Sequence, residues 1–532
     1  MNDTRKPAEV ATGYRLTYST MFDPPESLHQ RFEAALDEIR PTLGADHPMW
    51  IGGAEVTDKA LFDLRSPIDH QVLVGRFPLG SADHAAAAVD AAGTAFGDWS
   101  RRPWRERIAL LRRAAMLIEE RVWRLSACLS IEVGKNRMES LGEVQETADL
   151  INWYCDRFEE ADGFDRILPD DPLTGWTSRN RTRLRPYGVW AVIAPFNFPY
   201  ALAGGPIAAA LVTGNTVVFK TASDTALSGA LLMQVFRDAG LPDGVLNHVT
   251  GPGGSIGDAL ARHPDVAGMT FTGSHEVGMS IAREYAGGRW PRPCIAEMGG
   301  KNPTIVTDRA DLERAAAGIV RSAFGLQGQK CSACSRLYVH KAVEAELRER
   351  LVELTEAITV GNPTLRENWM GPVINRAAHE RYRKAIGAIG EAGKAHAGAR
   401  VLDDGDLARG WFAAPTIASL PHDHPLWHEE QFLPLLLMQR VDSLDEAIGL
   451  ANQSDLALAA GFYGDADEAD VFAERIEAGV IYLNRPQGAT TGAWPGYQPF
   501  GGWKGSGSTG KAIGSWWYLP LYMREQSRTI VD

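Results

Sequence analysis

The chain has 532 residues, which is more than one ordinary domain accommodates, so two or three domains are expected. Its 45% apolar and 23% charged residues match the average soluble globular protein and allow a large core. The formal charge of −13, with lysine and arginine confined to short runs such as RRPWRER (101–107), speaks against nucleic acid as a partner.

The apolar pattern predicts helices first and an α/β arrangement after them. Residues 81–160 are predicted to be mostly helical, beginning with a Ser-Ala-Asp cap. From 187 to 310, short apolar runs alternate with helical segments, which predicts a parallel, doubly wound sheet. A second α/β series follows from about 311 to 499 and ends in a glycine-rich tract. We expect two tightly packed lobes with a cleft between them.

One uncharged stretch, residues 191–219, is long enough to span a bilayer. Three prolines, two asparagines and the glycine pair Gly204-Gly205 divide it into a buried strand, a buried helix and a second strand. No membrane segment is therefore expected. The first ten residues, MNDTRKPAEV, lack the apolar core of a secretion signal, so secretion is not expected either.

The five cysteines are odd in number and irregular in spacing, which favours a reducing cytoplasm over a disulfide framework. They are Cys128, Cys155, Cys294, Cys331 and Cys334. The last two form a C-x-x-C pair, but neither a second pair nor a suitably spaced histidine completes a zinc site, so no metal is expected. The polar neighbours of Cys331 favour a nucleophile, and Lys330 is expected to lower its pKa. Cys334 is expected to be a packed neighbour.

Two glycine-rich segments match phosphate-binding loops only in part. GSGSTGKA (505–512) has alanine where a P-loop needs serine or threonine, and GPGGSIG (251–257) lacks the last glycine of the dinucleotide fingerprint. In FTGSHEVG, Gly273 and Ser274 end a strand and open a helix, where backbone N–H groups can hold a pyrophosphate. Glycine and serine also occupy many such turns for steric reasons, so the residues alone leave both interpretations open.

Seven motifs in the family's order make the chain resemble the aldehyde dehydrogenase superfamily from about residue 45 to its end. They are PFNFP (195–199), GNTVVFK (214–220), FTGS (271–274), EMGGKNP (297–303), GQKCS (328–332), EEQFLP (429–434) and PFGGWKGSG (499–507). The spacing of 34 positions between Glu297 and Cys331 is also typical of the family. The resemblance implies an α/β fold with two doubly wound lobes, for cofactor and for catalysis, and a small β oligomerisation flap.

The same resemblance implies a division of the chain into domains. Residues 1–165 and 187–296 would form the dinucleotide-binding domain and 297–499 the catalytic domain. Residues 166–186 and 506–532 would form the flap. Family members pair through this flap, so we expect a homo-oligomer, either a dimer or an assembly of dimers.

The resemblance further implies a reaction in which a cysteine attacks an aldehyde, a hydride moves to nicotinamide, and water hydrolyses the resulting thioester. Cys331 matches the nucleophile. The side chain of Asn197 and the backbone N–H of Cys331 match the oxyanion hole, and Glu297 matches the general base. The presence of Glu297 favours hydrolysis over acyl transfer to coenzyme A. A turn-forming asparagine and a capping glutamate are the structural alternatives.

Seven positions match the family's cofactor site. They are Lys220, Ser223, Gly273, Ser274, Gly278, Glu430 and Phe432. Lys220 would bind the adenosine ribose, Ser274 the pyrophosphate and Glu430 the nicotinamide ribose, on which Phe432 would pack. Many members that prefer NAD carry glutamate where Ser223 stands. The negative charge that repels the 2′-phosphate is missing, so NADP stays open beside NAD.

Three segments resemble the Δ1-pyrroline-5-carboxylate dehydrogenase branch: SAFGLQGQKCSACSR, TGAWPGYQPFGG and EVQETADLINWY. The substrate residues that this resemblance implies are Ser332, Gly492, Ala493, Phe198, Phe500 and Glu146. Backbone N–H groups of Gly492 and Ala493 would bind an α-carboxylate. Phe198 and Phe500 would bracket the aliphatic chain. We therefore expect an NAD(P)-dependent enzyme that oxidises L-glutamate γ-semialdehyde to L-glutamate.

Two alternatives accompany this expectation. Extra residues before the anchor, in NRPQGATTGA, favour a different carboxylated aldehyde as the runner-up substrate. From another class of protein, a non-catalytic binding protein could keep the fold, but its site residues would be degraded, whereas Asn197, Glu297 and Cys331 are all present. A disulfide switch between Cys331 and Cys334 is a separate hypothesis.

Overall fold

A computed structural model describes residue 17, residues 24–486, residue 488 and residues 494–532. Within these residues the strands form two seven-stranded sheets, one three-stranded sheet and two small two-stranded sheets. The predicted α/β fold with two lobes of parallel sheet is confirmed.

The helices of the described residues are α1 (Glu26–Ile39), α2 (Ala82–Arg101), α3 (Trp104–Glu120), α4 (Val122–Val133), α5 (Arg137–Glu160), α6 (Ala201–Val212), α7 (Ala226–Asp238), α8 (Asp258–Arg262), α9 (His275–Gly287), α10 (Leu312–Phe324), α11 (Glu344–Glu356), α12 (Arg376–Ala392), α13 (Leu444–Asn452) and α14 (Ala466–Arg475). The strands are β1 (Met49–Ile51), β2 (Ala54–Val56), β3 (Leu61–Arg65), β4 (Leu73–Pro78), β5 (Asp165–Leu168), β6 (Ser178–Pro186), β7 (Val189–Ile193), β8 (Thr216–Lys220), β9 (Leu246–Val249), β10 (Val266–Thr272), β11 (Cys294–Glu297), β12 (Asn302–Val306), β13 (Cys334–His340), β14 (Lys394–Ala397), β15 (Thr416–Ser419), β16 (Leu435–Val441), β17 (Leu456–Ala457), β18 (Ala459–Tyr463), β19 (Val480–Leu483), β20 (Trp503–Lys504) and β21 (Met523–Val531).

The first seven-stranded sheet has the order β11-β10-β7-β8-β9-β1-β2. Its five strands from β11 to β9 are parallel, and β1 and β2 are antiparallel additions at one edge. The chain runs outward from β7 through β8 to β9 and then returns to β10 on the other side of β7. In open α/β sheets this reversal marks the crevice where ligands bind, outside the carboxyl ends of the strands.

The second sheet has the order β14-β15-β16-β13-β12-β18-β19, and only its edge strand β14 is antiparallel. The sequence pattern grouped the apolar run at 303–306 with the first α/β series, and that grouping is wrong. The run is β12, the strand between β13 and β18, because the chain crosses from the first sheet to the second directly after β11.

The three-stranded sheet, with the antiparallel order β21-β6-β5, contains the segment expected to be the flap. Its C-terminal strand begins at Met523, whereas the sequence placed the flap's start at residue 506. The intervening segment has another role: Ser506 is buried, and its hydroxyl donates to the Gly299 carbonyl at 2.6 Å. The domain boundaries themselves stay a prediction.

The apolar stretch at 191–219 folds as the sequence pattern predicts. It forms β7, the almost wholly buried α6 and most of β8. Within the described ranges, no helix combines the length and the apolar character needed to cross a membrane.

Candidate active site

The carboxyl edge of the first sheet gathers residues that are far apart in the sequence. Asn197 follows β7, Lys220 ends β8, Gly273 and Ser274 follow β10, and Glu297 ends β11. Neighbouring parallel strands have their carboxyl ends at the same edge, so these residues line one crevice. The strand registers fix their relative heights: Ile193 pairs with Lys220, and Thr272 pairs with Glu297.

The second sheet contributes from its opposite, amino edge. Asn302 is the first residue of β12, Cys331 lies just before β13, and Phe432 lies just before β16. The three strands are parallel neighbours, so the loops that enter them meet at one edge. The site therefore lies where the carboxyl edge of one sheet faces the amino edge of the other.

The loop that enters β13 has an unusual backbone. Leu326, Gln327 and Gly328 have φ angles of 48°, 56° and 66°, a left-handed conformation that costs a residue other than glycine about 1–3 kcal/mol. A Cβ atom on Gly328 would lie 2.1 Å from the carbonyl oxygen of Leu433, so only glycine fits there. Surrounding contacts must hold this strained turn.

Asn302 provides one of those contacts. Its side-chain Nδ2 donates to the carbonyl oxygens of Cys331 at 2.7 Å and Ala333 at 2.9 Å, while its Oδ1 accepts the Ala459 N–H at 2.9 Å. The amide thus ties the Cys331 loop to the second sheet. Cys334, at the start of β13, is buried in the core as expected, and its thiol donates to the Arg336 carbonyl.

Cys331 is partly exposed, and its surroundings disfavour the thiolate. Burial in the crevice, followed by the charges of Glu430 and Glu297, raises the pKa of the Cys331 thiol to about 12. The backbone N–H groups of Cys331 and Ser332 oppose that shift. The thiol is therefore neutral at pH 7 and must lose its proton before or during attack.

The expectation that Lys330 lowers this pKa is wrong. The Lys330 side chain is 8% exposed, and its ammonium lies 3.0 Å from Glu139 Oε1, so its charge is compensated within the protein. The same Glu139 oxygen accepts the Leu326 N–H at 2.9 Å. Lys330 and Glu139 therefore hold the strained loop and do not activate the thiol.

Asn197 is buried and connects the two edges of the site. Its Nδ2 donates to the Gln329 carbonyl, two residues before Cys331, at 3.0 Å. A primary amide has two N–H donors, so a second one can be offered to a substrate oxygen. This hydrogen bond makes the position of Asn197 depend directly on the Cys331 loop.

Glu297 is a buried carboxyl group at the end of β11. It is hydrogen-bonded to the backbone N–H of Gly502, and its Oε2 atom is buried without a hydrogen-bond partner among the described residues. Burial raises the pKa of Glu297 well above its usual value. An unsatisfied buried oxygen is costly unless water or a ligand completes it, so this atom marks a place for a small polar molecule.

Two glycines after Glu297 bring the reactive groups close to one another. A Cβ atom on Gly299 would lie 2.0 Å from Glu430 Oε2, and one on Gly300 would lie 2.5 Å from the Cys331 carbonyl oxygen. Glu430 and the Cys331 backbone thus pack directly against the glycine pair. The motif EMGGKNP requires both glycines, because the Glu430 carboxylate and the Cys331 loop approach the backbone of Gly299 and Gly300 so closely.

A buried cation ends β8 at the position predicted for the adenosine ribose. Lys220 is 4% exposed, and its Nζ donates to the Thr221 carbonyl at 3.0 Å. Burial lowers the pKa of Lys220 to about 8, and the charge of Asp224 opposes this. Nearby, the Ser223 hydroxyl donates to the Gly251 carbonyl at 3.1 Å. An ammonium has three donors, which fits ribose hydroxyl groups.

The start of α9 fits the pyrophosphate. Ser274 caps the helix by accepting the Val277 N–H at 3.4 Å and is exposed, so the first turn of this 13-residue helix faces solvent. Helix N-termini attract phosphate groups. Gly278 is a packing position: a Cβ there would lie 2.6 Å from Met298 Sδ. Gly273 precedes the cap, and its N–H donates to the Glu297 carbonyl at 3.1 Å.

Glu430 and Phe432 lie on the facing edge. Glu430 Oε1 accepts the Gly300 N–H at 2.8 Å, and burial raises the pKa of this carboxyl to about 7. Phe432 has a φ of 56°, and its ring meets the Phe196 ring edge-on at 5.8 Å. The crevice thus combines a helix N-terminus, a buried cation and a carboxylate. These groups suit the anionic and hydroxyl groups of a dinucleotide, so the residues fit NAD.

The predicted substrate residues are only partly described. Ser332 is buried next to the nucleophile, and the Phe198 ring is partly buried next to Asn197. The Phe500 backbone pairs with Ile513, and Glu146 lies half-buried on α5. The two expected anchor residues, Gly492 and Ala493, lie outside the described residues.

Several residues that shape the site were missed in the sequence. Asn302 belongs to a quoted motif and received no role, although a buried asparagine at a strand start is a recognisable hydrogen-bonding position. Glu139 and Glu143 on α5, and Lys135 just before it, gave a weaker signal, because charged residues on or beside a helix are usually solvated. Here all three are buried.

Comparison with known proteins places this geometry in a family. Residues 54–527 match the profile of the Aldehyde dehydrogenase family. The 1-pyrroline-5-carboxylate dehydrogenase of Bacillus mycoides (strain KBAB4) is 38% identical over 503 residues, covering 93% of this chain and 95% of the relative. The chain belongs to the aldehyde dehydrogenase family.

Two solved structures are similar over most of the chain. The crystal structure of 1-pyrroline-5-carboxylate dehydrogenase from Thermus with bound NAD has a TM-score of 0.90 and 33% identity, covering 96% of this chain and 97% of that one. Proline utilization A (PutA) from Bdellovibrio bacteriovorus has a TM-score of 0.89 and 33% identity, covering 94% of this chain and 51% of that one.

Proposed function

We propose that the protein oxidises L-glutamate γ-semialdehyde to L-glutamate with NAD(P) and releases the product by hydrolysis. The observation that carries the chemistry is the convergence of Cys331, Asn197 and Glu297 where the two sheets meet. The substrate assignment is supported by the relatives named 1-pyrroline-5-carboxylate dehydrogenase, which match this chain over nearly its full length.

The first step belongs to Cys331 and Asn197. The thiol gives up its proton to a water molecule, and its sulfur adds to the aldehyde carbon, which converts the carbonyl oxygen to an oxyanion. The second amide N–H of Asn197 and the backbone N–H of Cys331 donate to that oxyanion. Donors already fixed by the protein stabilise the transition state without reorganising during the reaction.

The second step belongs to Glu297. A bound nicotinamide would supply the hydride acceptor, and loss of a hydride from the tetrahedral carbon would leave the acyl group on Cys331 as a thioester. Glu297 then takes a proton from water as the water attacks the thioester carbon, and the Cys331 sulfur departs. A carboxyl with a raised pKa is a stronger base when ionised, which suits this role.

The proposed cofactor contacts are Lys220 with the adenosine ribose, Ser274 with the pyrophosphate and Glu430 with the nicotinamide ribose. Ser223 brings no negative charge to the 2′ position, so we propose that the enzyme accepts NADP as well as NAD. The Thermus relative was solved with NAD.

The test is a steady-state comparison of glutamate semialdehyde, succinate semialdehyde and a simple aliphatic aldehyde, each with NAD and with NADP. The proposed site binds the α-carboxylate through backbone N–H groups, and an aldehyde without a carboxylate at that place leaves these donors unpaired, so we expect kcat/KM for glutamate semialdehyde to be higher by about 100-fold or more. Equal values for the three aldehydes would contradict the substrate assignment and leave the Cys331 chemistry intact. A preference for succinate semialdehyde would favour the alternative carboxylated aldehyde.

We also propose that the protein is a cytoplasmic homo-oligomer. All five cysteines are unpaired thiols, which suits a reducing compartment. The three-stranded sheet exposes apolar side chains on β5 and β21, among them Ile167, which is 86% exposed, and Ile530, which is 45% exposed. A second copy that covers this sheet would remove them from water.

A further inference from the structure

A buried ion pair lies directly behind the segment that carries Asn197. Glu143, on α5, is fully buried and forms a hydrogen-bonded ion pair with Lys135, which is 1% exposed. The other oxygen of Glu143 accepts the backbone N–H groups of Tyr200 at 2.8 Å and Ala201 at 3.4 Å. The carboxylate therefore holds the start of α6, three residues after Asn197.

Lys135 contacts the same segment through the Phe198 side chain. Its ammonium nitrogen lies 3.7 Å from the centre of the Phe198 ring, within the range of a cation–π interaction. Phe198 is the next residue after Asn197, and Pro199 follows with its restricted φ. The ion pair thus fixes the segment at two points, at the Phe198 ring and at the Tyr200 backbone.

The arrangement repeats one turn earlier on α5. Glu139 lies four residues before Glu143 and therefore on the same face of the helix. It pairs with Lys330 and accepts the Leu326 N–H in the loop that carries Cys331. Side chains on one face of α5 thus hold both halves of the site: the segment that carries Asn197 and the loop that carries Cys331.

Stability alone does not account for the Glu143–Lys135 pair. Burying two charges is costly, and replacing such a pair by apolar residues is often neutral or stabilising. The backbone N–H groups of a helix start could also be capped by a neutral serine or threonine. A charged acceptor is the stronger hydrogen-bonding partner and orients the segment more firmly.

We propose that Glu143 and Lys135 are positioning residues that hold the Asn197 amide in line with the oxyanion formed on Cys331. Neither residue is assigned contact with substrate or cofactor. The proposal rests on the proposed function only in needing an aldehyde that the enzyme oxidises. Any aldehyde serves, because each gives the same oxyanion.

The first experiment compares Glu143→Gln with Glu132→Gln. Glu132 is the matched control, since it is also fully buried and accepts the Leu227 and Ser228 N–H groups at the start of α7. In Glu143→Gln the amide cannot serve both Lys135 and the Tyr200 N–H. We expect kcat to fall by about 10- to 100-fold, and to stay within about twofold in Glu132→Gln.

Alkylation of Cys331 by iodoacetamide separates positioning from general damage, because that reaction forms no oxyanion. We expect its rate to be unchanged in Glu143→Gln. A fall in alkylation parallel to the fall in kcat, or an equal fall of kcat in Glu132→Gln, would overturn the proposal.

A double-mutant cycle tests whether Glu143 acts through Asn197. Asn197→Ala should lower kcat by about 100- to 1,000-fold, and adding Glu143→Gln should lower it no further. Multiplied losses would show independent effects and overturn the proposal. Lys135→Met together with Glu143→Gln removes the conflict between amide and ammonium and should recover part of kcat. No recovery would overturn the joint role of the pair.

These outcomes are distinct from failure of the proposed function. If the wild-type enzyme oxidises a simple aldehyde but not glutamate semialdehyde, the substrate assignment fails while the same variants still test the positioning role.

Discussion

The carboxyl edge of the first sheet presents its site residues at strand ends, whereas the second sheet presents Cys331 from a strained loop at its amino edge. Lys220 and Glu297 are held by the sheet register itself. Cys331 follows three consecutive residues with positive φ, and side chains from elsewhere hold that loop. Asn302 holds it from the second sheet and Glu139 from α5.

This difference shows where the geometry of the site is vulnerable. Lys220 and Glu297 are the last residues of β8 and β11 and keep their places through the backbone hydrogen bonds of the sheet, so a nearby substitution disturbs them little. The loop before β13 depends on a few side-chain contacts and on a glycine that touches the Leu433 backbone. Substitutions in the contacts around the loop should therefore displace Cys331, while substitutions beside Lys220 and Glu297 should leave these two side chains in place.

The largest expected effect is a loss of kcat that distinguishes the two cysteines of the C-x-x-C pair. Cys331→Ala removes the nucleophile and should lower kcat by roughly 10⁴- to 10⁶-fold. Cys334→Ala should leave kcat nearly unchanged and lower the free energy of unfolding by about 0.5–3 kcal/mol, because that thiol is buried in the core at the start of β13. Steady-state rates and denaturant unfolding measure both. Comparable loss of kcat in the two variants would contradict the division of roles.

The sequence pattern predicted most of the fold. Alternating apolar runs and helices predict the parallel sheets. Asn197 and Glu297 came from the family resemblance, and both lie at or just beyond the carboxyl ends of parallel strands, where functional residues are expected. The apolar pattern alone grouped the run at 303–306 with the first series, because the crossing between sheets is a short loop without a length or composition signal. The division at residue 297 that the family resemblance implies keeps this run with the second lobe.

The second edge was harder to predict for a physical reason. The sequence shows Lys330 beside Cys331 and so predicts an activated thiolate, but the ammonium pairs with Glu139, 191 positions away. Pairings of that separation depend on tertiary packing, which local patterns do not encode. Glu143 and Lys135 are only eight positions apart, but their burial also depends on tertiary packing, because it follows from how α5 packs on α6.

An intermediate effect is expected on the reactivity of the Cys331 thiol, and it tests the electrostatics of the Cys331 loop. The Glu430 carboxylate raises the pKa of the Cys331 thiol, since a nearby negative charge disfavours a thiolate. Glu430→Gln removes that charge, so the pKa should fall and alkylation by iodoacetamide at pH 8 should be about 3- to 10-fold faster. Because the pKa of Glu430 is about 7, the wild-type and variant rates should converge below that pH.

The measurement is the rate of Cys331 alkylation between pH 6 and pH 10, followed by mass spectrometry. Glu429→Gln is the matched control, since it removes an exposed carboxylate from the adjacent position. A profile that does not move in Glu430→Gln, or that moves to higher pH, would show that this carboxylate does not act on the thiol.

The smallest expected effect belongs to the first edge. Ser223→Glu places a carboxylate near Lys220, where it should repel a 2′-phosphate and, because solvent screens this partly exposed position, raise the KM for NADP only about 2- to 3-fold more than the KM for NAD. Ser223→Gln, of similar size and without charge, is the control and should leave the ratio of the two KM values near that of the wild type. Because Ser223 follows β8 and contacts Gly251 rather than the Cys331 loop, alkylation of Cys331 should be unchanged. An equal rise in both KM values would mean that the side chain lies away from the 2′ position, and a slower alkylation would mean that the two edges are coupled more tightly than their contacts indicate.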